Sequence, residues 1–339
     1  MVVTDVAMPR LHRLTPDYLT ALEAAARDAI AVVASHPYTY DAIRAVSDAP
    51  LWYEAQDVEA ALKHELLREG DFARELLSEV EATERRCCED ASVIWACSDE
   101  DRSELVRRYS TDPGRILVVP NGVSLEDVTF VGPNSRAEFK RQLRLTNRFV
   151  ALFLASWHPP NVLAARRLVD LASAQPELEF LILGSVGAAI DKEPLPQNVS
   201  LTGTISAEHK RAVLSVVDVA VNPVTTGSGT NIKMLDYFAS GTPVVSTTFG
   251  ARGLGVSPDC HYFAADAARF GEALNVVHNA DVDRLEPLVA RAREHVEQTL
   301  SWTAIASQLL DELTRLDDLQ VRRSQTAHEP RMVASDASA

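Results

Sequence analysis

The stretch from Pro223 to Asp236, PVTTGSGTNIKMLD, concentrates polar and ionisable residues beside two glycines. Gly227, Ser228 and Gly229 make a flexible turn, and Thr230 can begin the helix that follows. Backbone N–H groups left free at such a start can hold a phosphate. Lys233, one turn into that helix, would carry an ammonium to a phosphate oxygen, and Asp236, three residues on, shares its face. A carboxylate with both oxygens free suits the two hydroxyls of a ribose. The same residues also allow a plainer arrangement, in which the glycines only make a tight connection and Lys233 and Asp236 are a solvated ion pair. Ile232, Leu235, Phe238 and Ala239 read as the core-facing stripe.

The elements that must position this stretch alternate between two hydrophobic periods. Thr15, Pro16 and Asp17 start a helix with proline at its first position, running to about Asp28. AIAVVAS, ending at Ser35, reads as a buried strand, and a short helix leads to a second strand, PLWYE. A long helical region from Val58 to about Glu89 breaks near Gly70; Cys87 and Cys88 sit in it as ordinary helix residues. SVIWAC is a third strand, Ser98 and Asp101 approximate a capping box, and RILVV followed by PNG is a fourth strand. Residues 124–147 are polar and read as a linker with a short helix. FVALFLAS then opens a second run: helix 161–174, strand 179–184, a short strand near 199–202, helix 207–217, strand 218–222, helix 231–240 and strand 243–247. Near-unbroken apolar strands alternating with helices imply parallel sheets covered on both faces. Ligands of such sheets sit at the carboxyl ends of the strands, where the glycine turn falls. Helices from about 266 to 317 close this domain, and the tail 321–339 is read as disordered.

A chain of 339 residues is long enough for two domains. Its 48 acidic against 33 basic residues, a net charge of −15, would repel a phosphate backbone, so nucleic acid is not expected as a partner. No run of about 20 apolar residues could span a bilayer, and the N-terminus lacks the order of a signal peptide. The four cysteines, Cys87, Cys88, Cys97 and Cys260, have neither disulfide nor zinc spacing, so a cytoplasmic location is expected, with contact at the inner face of a membrane left open.

The run from Asp218 to Leu254, ending PVVSTTFGARGL, resembles the donor domain of the retaining family 4 glycosyltransferases, also called group 1. ILVVPNGV, ALFLAS followed by Asn161, and Ser301 with Trp302 extend the resemblance over most of residues 30–305. It implies an α/β chain of GT-B type, with two Rossmann-like domains and parallel sheets: 1–123 on the acceptor side and 148–320 holding a nucleotide-sugar. Retaining transfer to a carbohydrate or lipid-linked acceptor would follow, with the nucleotide-sugar as substrate and neither cofactor nor metal required. The departing phosphate would take the acceptor proton while the protein supplies position and charge.

The resemblance also assigns positions. Of the family's acidic pair eight residues apart, the second matches Asp236, expected at the ribose, and the first matches Ser228, which is not acidic. Gly227, Gly229, Thr230 and Asn231 would meet the diphosphate or the transferred sugar, with Lys233 at a phosphate. Ser156 to Asn161 would line the cleft, His158 donating to phosphate or packing as loop. Gly184 would let the backbone pass close to the nucleotide, and Gly203 and Ile205 would contact the base or simply form a βα loop. Across the cleft Gln56 stands where the family often has histidine, and glutamine can hydrogen-bond but not act as a base. Asp57 and Glu59 are candidates for acceptor hydroxyls, Glu59 alternatively a favourable charge at its helix start, and His36 faces the same cleft or is structural.

The opening MVVTDVAMPRLHRL resembles a later edge of such a domain, so the family pattern implies an incomplete, N-terminally shortened first domain. Exposed apolar edges there would favour self-association. Two other readings stay open: a non-catalytic nucleotide-sugar-binding or scaffolding protein, and a GT-B-like sugar-nucleotide epimerase.

Overall fold

A computed structural model of the chain describes residues 5–67, 70–145 and 148–327. The first half carries α1 (Met8–Leu11), α2 (Pro16–Ala26), β1 (Val32–Ser35), α3 (Tyr40–Val46), β2 (Leu51–Ala55), α4 (Glu59–Leu66), α5 (Asp71–Asp90), β3 (Val93–Ala96), α6 (Asp99–Tyr109) and β4 (Ile116–Val118). The second half carries α7 (Pro133–Gln142), β5 (Phe149–Leu154), α8 (Pro159–Ala174), β6 (Leu178–Leu183), β7 (Val199–Gly203), α9 (Ala207–Leu214) and β8 (Val219–Asn222). It continues with α10 (Lys233–Ala239), β9 (Val244–Ser246), β10 (Phe263–Ala264), α11 (Phe270–His278), α12 (Val282–His295) and α13 (Trp302–Ala327).

Every strand pair is parallel. The first sheet has four strands in the order β1-β2-β3-β4, and the second has six in the order β10-β9-β8-β5-β6-β7. In the second, β5 pairs with β6 on one side and β8 on the other, so successive crossovers leave from it in opposite directions. A crevice opens at the carboxyl ends of the two strands that diverge there. Both faces of this sheet are buried: Ala151 and Phe153 of β5 join one core with Phe180, Ile182 and Val221, while Leu152 and Leu154 join another with Ala220, Tyr237 and Phe238.

The four-stranded sheet is built differently. Leu51, Tyr53 and Ala55 of β2 point into a core shared with Ile94, Ala96, Cys87 and Cys88, whereas the alternate residues Trp52 and Glu54 are only half-buried. The buried cysteines are free thiols. Beneath β2 lies Glu84, fully buried, whose carboxylate accepts from Tyr53 Oη at 3.0 Å, Tyr109 Oη at 2.6 Å, and the backbone N–H groups of Glu59 at 2.8 Å and Ala60 at 3.0 Å. Those last two donors are at the start of α4, so one buried carboxylate ties the helix start to the sheet.

The segment between the domains is bound to the second. Arg136 of α7 is buried and donates to the carbonyls of Leu214, Val217, Val131 and Ser240 and to Thr242 Oγ1. The chain crosses between the sheets a second time where Val123 N–H donates to Leu300 O at 3.0 Å and Trp302 N–H to Val123 O at 3.2 Å.

Two expectations are corrected here. Helix α10 begins at Lys233, because residues 230–232 complete the glycine turn; Lys233 is the first helical residue and Ile232, 54% exposed, leaves the core stripe. Residues 321–327, read as disordered for want of apolar periodicity, continue α13, since polar residues can extend a helix already docked at its start. The remaining tail, 328–339, and the opening 1–4 lie outside the described residues.

Candidate functional site

A cavity of about 660 Å³ opens at the carboxyl ends of β5 and β8. Its floor is the turn Thr226–Ile232 with Lys233 and Asp236 of α10; its sides are the 154–161 segment after β5 and Gly184 and Ser185 after β6; Gln56, Asp57 and Asn121 close it from the first domain. Of the residues expected at the site, Gln56, His158, Gly184, Gly227, Ser228, Gly229, Thr230, Asn231, Lys233 and Asp236 all line this cavity.

Gly203 and Ile205 do not. Along β7 and its exit successive side chains alternate in direction; Thr204 lines the cavity, while Ile205 packs against the core around Leu214 and Tyr237. His36 and Glu59 also lie outside the cavity walls. Glu59 accepts from Tyr38 Oη at 2.8 Å and bonds His36 Nδ1 at 2.6 Å, with Lys63 3.6 Å away. That hydrogen bond raises the histidine above its ordinary range. The pair holds His36 in a positive-φ conformation (φ 65°) at the end of β1, a backbone state that costs a non-glycine residue energy and must be held by its surroundings.

Lys233 and Asp236 do not pair with each other, which removes the solvated ion-pair arrangement. Lys233 Nζ donates to Asn161 Oδ1 at 2.8 Å and lies 4.6 Å from the centre of the Phe153 ring. Among the described residues no carboxylate lies within salt-bridge distance of it; Asp236 pairs with Lys210 instead. Burial against that ring holds its ammonium down to about 7. His158, beside it, is lowered by burial and by Lys233, so it stays neutral and keeps one N–H to donate. Asp236 was expected with both oxygens free; instead Lys210 Nζ of α9 donates to both, at 2.9 Å each.

Three charged or amide side chains of the cavity escaped the sequence reading. Lys210 sits in an unremarkable amphipathic helix, 26 residues before its partner. Arg252 donates to Gly227 O at 2.8 Å and Phe249 O at 3.0 Å, pinning the glycine turn from the far side. Asn121 of the PNG turn donates to Thr230 Oγ1 at 2.9 Å, so the first domain is tied to the turn. The asparagine and arginine stood inside quoted motifs, but nothing in their spacing told which group they would meet.

Two glycines are required by geometry. At Gly184 (φ 114°) a Cβ would overlap the Ala155 carbonyl, which closes the cavity wall between β5 and β6. At Gly229 (φ 64°) a Cβ would stand 2.6 Å from Asp57 Oδ1, reaching across the cleft. Asp57 itself accepts from Ser228 Oγ at 3.4 Å. Burial, then Glu59 and Asp101, push its carboxyl up to about 6, against the opposing pull of His36 and the Ser228 hydroxyl. Among the described residues no group of three or more His, Cys, Asp or Glu side chains gathers as a metal site would, and no helix is long and apolar enough to cross a membrane.

With two parallel sheets facing one cleft, the chain has the GT-B architecture. Residues 148–279 match the model of the family described as Glycosyl transferases group 1. Over that stretch the second domain is similar to the group 1 glycosyltransferases. Among curated proteins the chain is similar to D-inositol 3-phosphate glycosyltransferase of Gordonia bronchialis, 26% identical over 285 residues, covering 78% of this chain and 61% of that protein. The same-named protein of Geodermatophilus obscurus is 28% identical over 303 residues, covering 82% and 64%. The chain thus spans a little over 60% of the length of these relatives. Among solved structures, Anabaena Alr3699/HepE in complex with UDP and glucose superposes with a TM-score of 0.69 at 17% identity, covering 90% of this chain and 82% of that one. Sucrose-phosphate synthase of Thermosynechococcus elongatus gives 0.71 at 18% identity, covering 91% and 79%.

Proposed function

We propose that the protein is a glycosyltransferase that binds a nucleoside diphosphate sugar in the cavity between its two sheets and transfers the sugar, with retention of configuration, to a hydroxyl of a carbohydrate or lipid-linked acceptor. The observation that carries this reading is Lys233: a half-buried ammonium with no carboxylate within salt-bridge distance among the described residues, at the switch point of a parallel sheet and in one cavity with Asp236. Such a group is satisfied by an anion, and a diphosphate supplies one. The match of residues 148–279 to group 1 glycosyltransferases and the names of the relatives support the same class. Neighbouring folds crystallised with UDP or UDP-glucose make the uridine series the first to try.

In this reading Lys233 and the N–H of neutral His158 meet the diphosphate, and Asp236, oriented by Lys210, takes the ribose hydroxyls. The bond between the anomeric carbon and the diphosphate oxygen breaks, a bond from that carbon to the acceptor oxygen forms, and the acceptor proton goes to the departing phosphate. Gln56, anchored by its own donation to Ser35 Oγ at 3.0 Å, contributes hydrogen bonds and no base.

Calorimetric titration with UDP, GDP, ADP and TDP and their sugar conjugates tests it, beside Asp236→Ala. One nucleotide is expected to bind, with most of its affinity lost in the variant; a folded protein that binds none of them sinks the proposal. Binding without turnover on any acceptor would favour a non-catalytic binding protein, and an inverted product anomer by NMR would overturn retention.

A further inference from the structure

The cavity is lined by two carboxylates, and they are furnished differently. Asp236 carries Lys210 on both oxygens. Asp57 has no cation within salt-bridge distance among the described residues; its partner is the Ser228 hydroxyl on the opposite wall, and its Oδ1 rests against Gly229. The groups that face it are His36 and Glu59 of its own sheet, already bonded to each other, Asp101 of α6, and Arg252 from the second domain, whose guanidinium is turned to the carbonyls of Gly227 and Phe249.

Charge then orders the cavity. A diphosphate is drawn to Lys233 and repelled by Asp57, so a nucleotide-sugar lying between them turns its neutral, hydroxyl-bearing end toward Asp57. Sugar hydroxyls are donors, and a carboxylate without a cation has lone pairs left for them. The loop that carries it is held rigidly, because the residues that follow, Glu59 and Ala60, are fixed through their N–H groups to Glu84. The residue next to it, Gln56, is held to Ser35.

We propose that Asp57 is a sugar-binding residue, reaching from the first domain to the Ser228–Gly229 turn to accept hydrogen bonds from hydroxyls of the transferred sugar and so to select among sugars. This rests on the nucleotide-sugar reading above. A substituent that turns a hydroxyl away from this carboxylate is then discriminated against, because the half-buried acceptor is left without its donor.

The test compares bare nucleotide with its sugar conjugate in wild type and Asp57→Asn, using UDP and UDP-glucose, or GDP and GDP-mannose if guanosine is the base that binds. The variant is expected to hold the bare diphosphate within about twofold of wild type and to lose about tenfold or more on the conjugate. In wild type the conjugate's extra affinity should also rise as the pH passes through about 6, where the carboxylate ionises, and this rise should be missing from the variant. Equal losses on bare nucleotide and conjugate would mean that Asp57 only shapes the cleft, and no loss on either would mean that it touches no sugar; both overturn the proposal. A wild type that binds no nucleoside diphosphate at all removes the nucleotide-sugar reading itself, a failure visible before any variant is made. Thermal melting of Asp57→Asn, expected to match or exceed that of wild type, separates a lost contact from a lost fold.

Discussion

The two sheets that face the cleft hold their site residues by different means. In the six-stranded sheet, β5 and β8 are buried on both faces by aliphatic and aromatic side chains, and the glycine turn and Lys233 are mounted on that apolar frame. In the four-stranded sheet, the loop with Gln56 and Asp57 hangs from a fully buried carboxylate, Glu84, and a second hydrogen-bonded set, Glu59 with His36, Lys63 and the neutral Tyr38 hydroxyl. One wall of the cleft is therefore positioned by packing, which is indifferent to pH, and the other by buried hydrogen-bonded charge, which is not.

The largest expected effect breaks the second wall. Glu84→Ala leaves two tyrosine hydroxyls and two backbone N–H groups without their acceptor and should cost about 3–5 kcal/mol. Urea unfolding followed through Trp52 and Trp95, both on the first sheet, reads it. Phe180→Ala in the other sheet should cost a similar ~3–5 kcal/mol, but by the same amount at pH 5 and pH 8. A loss under about 1 kcal/mol for Glu84→Ala would erase the contrast between the walls.

Lys233 supplies the next. Burial holds its ammonium down to about 7, and a bound diphosphate would raise it again. Nucleotide binding at pH 8 should therefore take up close to one proton, detectable by calorimetry in buffers of different ionisation enthalpy. Affinity should fall by roughly tenfold or more from pH 7 to pH 9. Lys233→Met should lose both the uptake and most of the affinity; a pH-independent wild type would mean that no anion meets this lysine.

Asp57→Asn should raise stability at neutral pH. The folded carboxyl, pushed up to about 6, keeps a proton that the unfolded chain has already released, so wild-type stability falls as the pH climbs from about 4 to about 6. Removing the charge restores that loss, on the order of 1–2 kcal/mol once partial solvent screening is allowed for. A gain in melting temperature at pH 8 that vanishes at pH 4 is the expected pattern, and it would mark a residue kept at a cost to stability. The smallest effect belongs to Lys210→Met, which strips Asp236 of its half-exposed partner and should weaken nucleotide binding only about threefold to tenfold.

Much of this molecule is legible in its residue order. Apolar alternation marks the parallel strands and their helices within a few residues, the polar break near residue 124 separates the two runs, and the glycine turn with Lys233 and Asp236 falls at a strand end. These are local signals, set by steric periods of two and 3.6 residues and by the turn chemistry of glycine. The pairings that make the site are not local. Lys210 meets Asp236 across 26 residues, Asn121 meets Thr230 across 109, and Asp57 meets Ser228 across 171. No spacing rule connects them, because each depends on how two separately packed layers come together over one cleft. For the same reason the helix start at Lys233, the withdrawal of Ile232 from the core and the removal of Glu59 and His36 to a structural bond were decided only in three dimensions. Residue types and periods determined which groups the protein has and on which element each stands; the packing of the two sheets decided which of them share a cavity and which are left without a counter-charge.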